Sequence, residues 1–196
     1  PAIKKIKEIV DSGKLGKLYY AYSNRLNFGK VRTEENVFWS FAPHDISVLN
    51  YLIGAPALEI KAKGSKHLQD NVYDVTMAQF IYPNNVHAHI FVSWLHPFKE
   101  QRLVVIGGKA MLSFEDSSKD KNIFYYDKHV DFVEHQPILL SEPDEVISYE
   151  KKLPLTEELK YFIENLDGNI ELADGKSGLE VVKALETVQK LIDNED

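Results

Sequence analysis

The sequence contains no cysteine among its 196 residues, which excludes disulfide bonds and thiolate metal sites. It also has no apolar run long enough to span a membrane and no recognisable signal peptide. Basic residues are outnumbered by acidic ones, 23 against 30, and the formal charge of −7 disfavours binding to nucleic acid. The default expectation is a soluble cytoplasmic protein without a nucleic-acid or membrane partner.

The sequence also lacks the short motifs of common phosphate-binding and catalytic loops. It has no GxGxxG and no GxxxxGKS/T, so Gly107-Gly108 is interpreted as a turn between two strands. It has no GxSxG nucleophile elbow. His87 and His89 lie two apart on one predicted strand, but without a carboxylate at fitting spacing they are weak evidence for a metal ion. We predict no metal site and no cofactor-binding residues in this chain.

The hydrophobic pattern that is present predicts one α+β domain over residues 1–196. Besides a central helix described next, helices are expected at 1–12, 154–166 and 177–193. Strands are expected at 18–28, 58–64, 73–82, 86–95, 102–106, 110–114, 122–126, 131–133 and 146–149. We predict that 122–126 and 131–133 pair as an exposed hairpin, and that 146–149 is an edge strand. Short connections favour an open, mostly antiparallel sheet with helices on one face and a partly polar, aromatic second face.

The chain is organised around residues 36–54, NVFWSFAPHDISVLNYLIG. We interpret Val37–Trp39 as extended and Pro43 as part of the first turn of a short helix that is buried on nearly all sides. On this interpretation His44 lies at the helix start, where the helix dipole and burial both favour a neutral imidazole. Such a group can take a proton from a substrate hydroxyl as a general base. The alternative is a histidine that only caps the helix or fills a polar niche, and Asp45 is interpreted as a partner of the helix dipole.

Several segments, taken in order, carry a resemblance to a known family. They are PAIKKIKEIVDSGKLGKL at 1–18, NFGKVR at 27–32, VFWSFAPHDISVLNYLIG at 37–54, SWLHPFKEQRLVVIGGKAMLSFED at 93–116, PLTEELKYF at 154–162 and ADGKSGLEVVKALE at 173–186. At this spacing they resemble the C-terminal domain of the glucose-fructose oxidoreductase / inositol dehydrogenase / rhizopine-catabolism (Gfo/Idh/MocA) family of NAD(P)-dependent oxidoreductases. The resemblance covers essentially the whole chain.

The resemblance implies that two domains share the reaction. An N-terminal Rossmann domain, absent from this chain, would bind NAD or NADP and supply a lysine, so we expect the chain by itself to be an inactive fragment. The C-terminal domain, with a fold like that of glyceraldehyde-3-phosphate dehydrogenase, would supply the sugar site, the oligomer interface and the catalytic histidine. That histidine falls on His44 here. It would take the proton from a ring hydroxyl while hydride leaves for the nicotinamide.

One departure from the family pattern concerns the position four residues before His44. Many relatives carry an aspartate there, whereas this chain has Ser40, which can only form hydrogen bonds. The residues at 27–32 and 39–45 most resemble those of family members that act on nucleotide-linked sugars. The residues that the resemblance offers as substrate contacts are Arg25, Asn27, Arg32, Trp39, Ser40, Lys99 and Arg102. For each charged candidate the alternative is a solvated surface charge, and for Trp39 it is core packing.

The second face of the predicted sheet bears on assembly. Because exposed aromatic faces rarely stay bare, we expect a homodimer or homotetramer that associates through this open face. The competing hypothesis for the whole chain is a non-catalytic ligand-binding or oligomerisation module, since the same fold hosts unrelated functions.

Overall fold

The computed structural model describes residues 1–168, 170 and 172–194. The helices are α1 Ala2–Asp11, α2 Val37–Ile53, α3 Pro154–Glu164 and α4 Gly175–Asp193, with a 3-10 turn at Pro83–Asn85. The strands are β1 Leu18–Leu26, β2 Glu59–Ser65, β3 Val75–Tyr82, β4 Val86–Ser93, β5 Glu100–Gly107, β6 Met111–Glu115, β7 Ile123–Tyr126, β8 Lys128–Val133, β9 Gln136–Ser141 and β10 Glu145–Ile147. Across these ranges no helix is both long and apolar enough to cross a membrane.

Eight of the strands form one open sheet, in the order β10-β7-β6-β5-β1-β4-β3-β2. Strand β1 lies in its middle, parallel to β4 and antiparallel to β5, and the remaining neighbours pair in the antiparallel sense. The predicted α+β class, with a mostly antiparallel open sheet, is confirmed. The central strand therefore pairs with two strands, β4 and β5, that lie far from it in sequence.

Helices α1, α2 and α4 cover one face of this sheet. On β4 the apolar side chains of Val86, Ala88, Ile90 and Val92 are buried in the core, as their alternation predicts. Residues of α1, α2 and α4, among them Ile6, Leu49 and Val188, pack into the same cluster. Helix α3, in contrast, buries none of its residues. The core therefore lies between the sheet and three of the four helices.

The start of α2 differs from the prediction. Val37–Trp39 is helical rather than extended, because Asn36 caps the helix and its side-chain oxygen accepts the N–H groups of Phe38 and Trp39 at 2.9 and 3.1 Å. Pro43 lies inside the helix instead of in its first turn. Sequence reasoning gave Pro43 more weight than the asparagine seven residues before it. As a result, the residues that follow Pro43 are not at the positive end of the helix.

The predicted hairpin between 122–126 and 131–133 is also wrong. Strand β7 pairs with β6 and β10 inside the main sheet, whereas β8 pairs with β9 in a separate two-stranded sheet. The β8–β9 turn is made by Glu134 and His135, both with positive φ, 49° and 67°. Because glycine or asparagine usually occupies such positions, the residues 134–135 did not indicate a tight turn between β8 and β9. The predicted edge strand at 146–149 corresponds to β10, which does lie at the edge of the sheet.

The face of the sheet opposite the helices carries aromatic and sulfur-containing side chains. Tyr20, Met77 and Phe124 are exposed at 41, 55 and 37 %. Tyr22 stacks on His89 with ring centroids 5.1 Å apart, and burial lowers the pKa of His89. This surface, which we name the open face, agrees with the predicted mixture of polar and aromatic residues.

Gly107 at the end of β5 permits a close approach between the sheet and the turn after α1. A Cβ at this position would overlap the Leu15 carbonyl oxygen and lie 2.8 Å from the Leu15 Cβ. We expect Gly107→Ala to lower the free energy of unfolding by about 3 kcal/mol or more, measured by chemical denaturation. Gly178→Ala is the control, because nothing lies within 4 Å of that position in α4, and it should stabilise by up to about 1 kcal/mol. Equal effects of the two substitutions would contradict this account.

Candidate active site

A cavity of about 690 Å³ lies between α2, the helix-side face of the sheet and two loops. Strands β1, β5 and β6 contribute Ser23, Arg25, Gln101, Arg102, Leu103 and Phe114, and α2 contributes His44, Asp45 and Val48. The loop walls are formed by Asp116, Lys119, Asp120, Lys121, Tyr149, Lys151, Lys152, Leu153 and Pro154, and residues 1–3 complete the lining. The volume is in the range of pockets that enclose small organic ligands.

His44 lines this cavity from well inside α2. Its side chain is exposed, and within the described residues it makes no hydrogen bond or ion pair. The expectation of a buried imidazole at a helix start is therefore wrong, because α2 begins at Val37. What the structure gives is an imidazole beside a cavity, with neither ring nitrogen in a hydrogen bond within the described residues.

Asp45, the next residue, points into the protein and is 5 % exposed. Its carboxylate accepts the Ser23 hydroxyl at 2.6 Å and the Arg25 guanidinium at 2.8 and 3.3 Å. The interpretation of Asp45 as a partner of the helix dipole is wrong, since the residue lies far from the first turn. The carboxylate instead ties α2 to β1. Because consecutive helical side chains diverge, this anchor leaves His44 facing the cavity.

Arg25 and Arg102 were both predicted to contact substrate. In the structure their guanidinium groups bind different carboxylates. Arg25 lines the cavity, but its guanidinium is engaged by Asp45. The Arg102 guanidinium lies with open-face residues instead and donates to Glu115 at 3.0 Å. Burial acts to lower the pKa of Arg102, but the hydrogen bond to Glu115 and the nearby carboxylates of Glu100 and Glu115 raise it overall. Both arginines therefore line the cavity, and in both a carboxylate already engages the guanidinium.

The other predicted contacts are not brought to the cavity. Trp39 is half-buried and packs against the core, as its alternative interpretation expected. Asn27 and Ser40 are half-buried but do not line the cavity. Arg32 is exposed and pairs with Glu35 at 3.1 Å. Lys99 is exposed and likewise lies outside the lining.

Sequence reasoning missed the lysines of the two loop walls. Lys119 and Lys121 follow β6, whereas Lys151 and Lys152 precede α3, some thirty residues later. The clustered charges in SSKDKN at 117–122 and YEKK at 149–152 were the available signal. A charge cluster is usually a solvated surface, so only the folded chain shows that the two clusters face one cavity.

The paired glycines of the chain do not form a phosphate-binding loop. The paired glycines at 107–108 close the β5–β6 turn against Leu15 and Tyr19 and leave no space there for a phosphate group. His87 and His89 are occupied on the open face, with His87 close to Asn85 and Gln79. No group of three or more histidine or acidic residues in the described part of the chain is arranged to hold a metal ion.

The chain matches a known protein family. A family model described as the GFO/IDH/MocA C-terminal domain matches residues 3–113, which is more than half of the chain and includes α2 and its histidine. The matched range ends before the lysine-bearing loops. No curated protein sequence matches the chain.

Solved structures show the same fold. UDP-N-acetylglucosamine 3-dehydrogenase GnnA from Acidithiobacillus ferrooxidans superposes with a TM-score of 0.78 at 20 % identity, covering 96 % of this chain and 61 % of that one. The aldose-aldose oxidoreductase from Caulobacter crescentus, complexed with glycerol, gives 0.79 at 13 % identity, covering 100 % and 59 %. The WlbA dehydrogenase from Bordetella pertussis, in complex with NADH and UDP-GlcNAcA, gives 0.72 at 15 % identity, covering 100 % and 60 %. The chain thus spans about three fifths of their length.

The ion pair beneath His44 can be tested through stability. We expect Asp45→Asn to lower the free energy of unfolding by about 2–4 kcal/mol, because it leaves the half-buried Arg25 without its counter-charge. Glu8→Gln is the matched control: it removes an exposed pair with Lys5 of the same 2.8 Å length and should cost under about 1 kcal/mol. Chemical denaturation measures both. Similar losses for the two variants would mean that Asp45 does not anchor α2.

Proposed function

Because the chain belongs to the GFO/IDH/MocA family through that family's C-terminal domain, we propose that it is the substrate and assembly domain of an NAD(P)-dependent oxidoreductase acting on a sugar or nucleotide-sugar ring hydroxyl. The observation that carries the proposal is His44, whose imidazole lines a ligand-sized cavity and has no protein partner in the described residues. Relatives in fold that bind or oxidise UDP-sugars support the nucleotide-sugar alternative.

In this proposal His44 moves the proton. An imidazole nitrogen accepts the proton of a sugar hydroxyl while the carbon that bears this hydroxyl is oxidised. In the reverse reaction the imidazole returns the proton. Asp45 does not share that proton; with Ser23 and Arg25 it holds the turn of α2 that carries the imidazole. Ser40 lies one helical turn before His44 on the same helix, and a hydroxyl there can orient the imidazole but cannot take its proton.

We assign the hydride acceptor to a second domain. Since the chain covers 61 % of GnnA, we propose that a separate nucleotide-binding domain of the same protein binds NAD or NADP and closes the cavity. The present chain would then be inactive by itself. Its own contribution is the substrate cavity, the proton-transfer group and the assembly surface.

We also propose that the open face mediates assembly into a homodimer or homotetramer. The exposed side chains of Tyr20, Met77 and Phe124 lie on β1, β3 and β7, three strands of the one sheet, and all belong to its open face. An apolar surface of this kind is typical of a subunit contact. It lies on the side of the sheet away from the cavity, so that association would leave the cavity accessible.

The first test is His44→Ala in the protein that includes its nucleotide-binding domain. Loss of a general base should reduce turnover by about 10²- to 10⁴-fold, measured as nicotinamide reduction with a panel of sugars and UDP-sugars. His135→Ala, in the β8–β9 turn, is the control and should keep wild-type turnover. If His44→Ala keeps wild-type turnover, His44 has no catalytic role, and the non-catalytic ligand-binding or oligomerisation module becomes the better account.

The assembly proposal is tested by sedimentation at several protein concentrations. Wild-type chain should be dimeric or tetrameric, and Met77→Lys should shift it toward monomer because it places a charge in the apolar contact. Leu179→Lys changes an equally exposed side chain, 52 % against 55 %, on α4 at the other side of the molecule. It should leave the association unchanged. A monomeric wild-type chain at high concentration would refute the proposed interface.

A further inference from the structure

The cavity beside His44 inverts the charge balance of the chain. The whole sequence has 23 basic and 30 acidic residues, whereas the cavity lining, apart from Arg102, whose guanidinium pairs with Glu115, has five basic side chains and the three acidic ones Asp45, Asp116 and Asp120. Four of the five basic side chains are Lys119, Lys121, Lys151 and Lys152, which we name the lysine wall. An acidic protein that concentrates lysines around one cavity favours an anionic ligand there.

The lysines differ in how far their charges are already neutralised. Lys121 pairs with Asp116 at 2.8 Å and Lys152 with Glu150 at 2.9 Å. Lys151 donates instead to neutral acceptors, the Asp120 carbonyl at 2.5 Å and the Asn122 side-chain oxygen at 3.3 Å. Lys119 makes no hydrogen bond or ion pair within the described residues. Asp120 provides one opposing carboxylate, so the wall keeps a surplus of positive charge.

Hydrogen bonds hold the two loops of the wall together. The Tyr149 hydroxyl donates to the Lys121 carbonyl at 2.6 Å, and Lys151 donates to the Asp120 carbonyl. Segments that are thirty residues apart in sequence are thereby joined at the rim of one cavity. The lysines consequently share a supported frame rather than lying on two independent surface loops.

We propose that the lysine wall binds the phosphate groups of the substrate while its sugar ring lies toward His44. The assignment of the ring to His44 rests on the proposed function, whereas the anion site rests on the wall itself. Phosphate oxygens suit lysine ammonium groups as charge-assisted acceptors. The phosphates belong either to the diphosphate of a nucleotide sugar or to a simple sugar phosphate, and the class of ligand is the same in both cases.

Binding to the 196-residue chain tests the anion site without any turnover. Inorganic pyrophosphate, UDP and glucose 1-phosphate are titrated by calorimetry at low ionic strength. We expect the Lys119→Ala/Lys151→Ala double variant to weaken binding of pyrophosphate and UDP about tenfold or more. Lys119→Glu alone should act in the same direction, and because Lys119 makes no hydrogen bond or ion pair in the described part of the chain, the substitution breaks none that supports the loop. Lys119→Arg, which keeps the positive charge, should bind the same ligands as tightly as the wild-type chain does.

The control removes the same charge far from the cavity. Lys61→Ala/Lys176→Ala changes β2 and α4 and should alter binding less than about twofold. Equal losses in both double variants would overturn the proposal, because net charge alone would explain them. Absence of pyrophosphate, UDP and glucose 1-phosphate binding to the wild-type chain would also overturn it. A loss for pyrophosphate and UDP but not for glucose 1-phosphate identifies a nucleotide diphosphate as the source, and a loss for glucose 1-phosphate identifies the sugar phosphate.

Turnover in the protein with its nucleotide-binding domain separates this proposal from the proposed function. If lysine substitutions abolish pyrophosphate binding while His44→Ala leaves turnover unchanged, the anion site stands and the catalytic assignment falls. If His44→Ala abolishes turnover while lysine substitutions change neither anion binding nor KM, the anion site falls and the catalytic assignment stands. Support for both requires a raised KM for phosphorylated substrates in the lysine variants, with kcat largely kept.

Discussion

The buried carboxylate of Asp45 is the constraint on which the candidate site depends. A charge that is 5 % exposed is costly unless it is paired, and Ser23 and Arg25 of the central strand together satisfy it. This requirement sets how α2 lies on β1. His44 is the neighbour of Asp45 in the chain, so the same ion pair determines that the imidazole faces the cavity. In the proposed mechanism the reactive group thus needs no partner of its own, because its neighbour supplies the orientation.

The strand period separates two surfaces that have different chemistry. Along β1, Ser23 and Arg25 point toward α2 and the cavity, whereas Tyr22 and Asn24 belong to the open face. One strand therefore serves a candidate ligand site on one side and a candidate assembly surface on the other. Arg102 reaches both surfaces: the residue lines the cavity, whereas its guanidinium donates to Glu115 on the open face.

Much of the fold was predictable because alternation and helical spacing follow directly from burial. The strands of the main sheet and the edge position of β10 were found within a few residues. The errors came where a local signal was ambiguous or absent. Asn36 and Pro43 both mark helix starts, and the stronger cap was overlooked. The β8–β9 turn uses Glu134 and His135 in place of glycine or asparagine, so the pairing of β8 could not be read locally.

The sequence by itself determined the α+β class, the family and the prominence of His44, because these depend on periodicity and on residue order along the chain. Only the tertiary structure decided what surrounds that histidine. It assigned Asp45 to an ion pair, paired Arg102 with Glu115 and joined two separate lysine clusters along one wall. These are contacts between residues that are distant in sequence. Local pattern carries no information about them, since they form only when the sheet and α2 pack together.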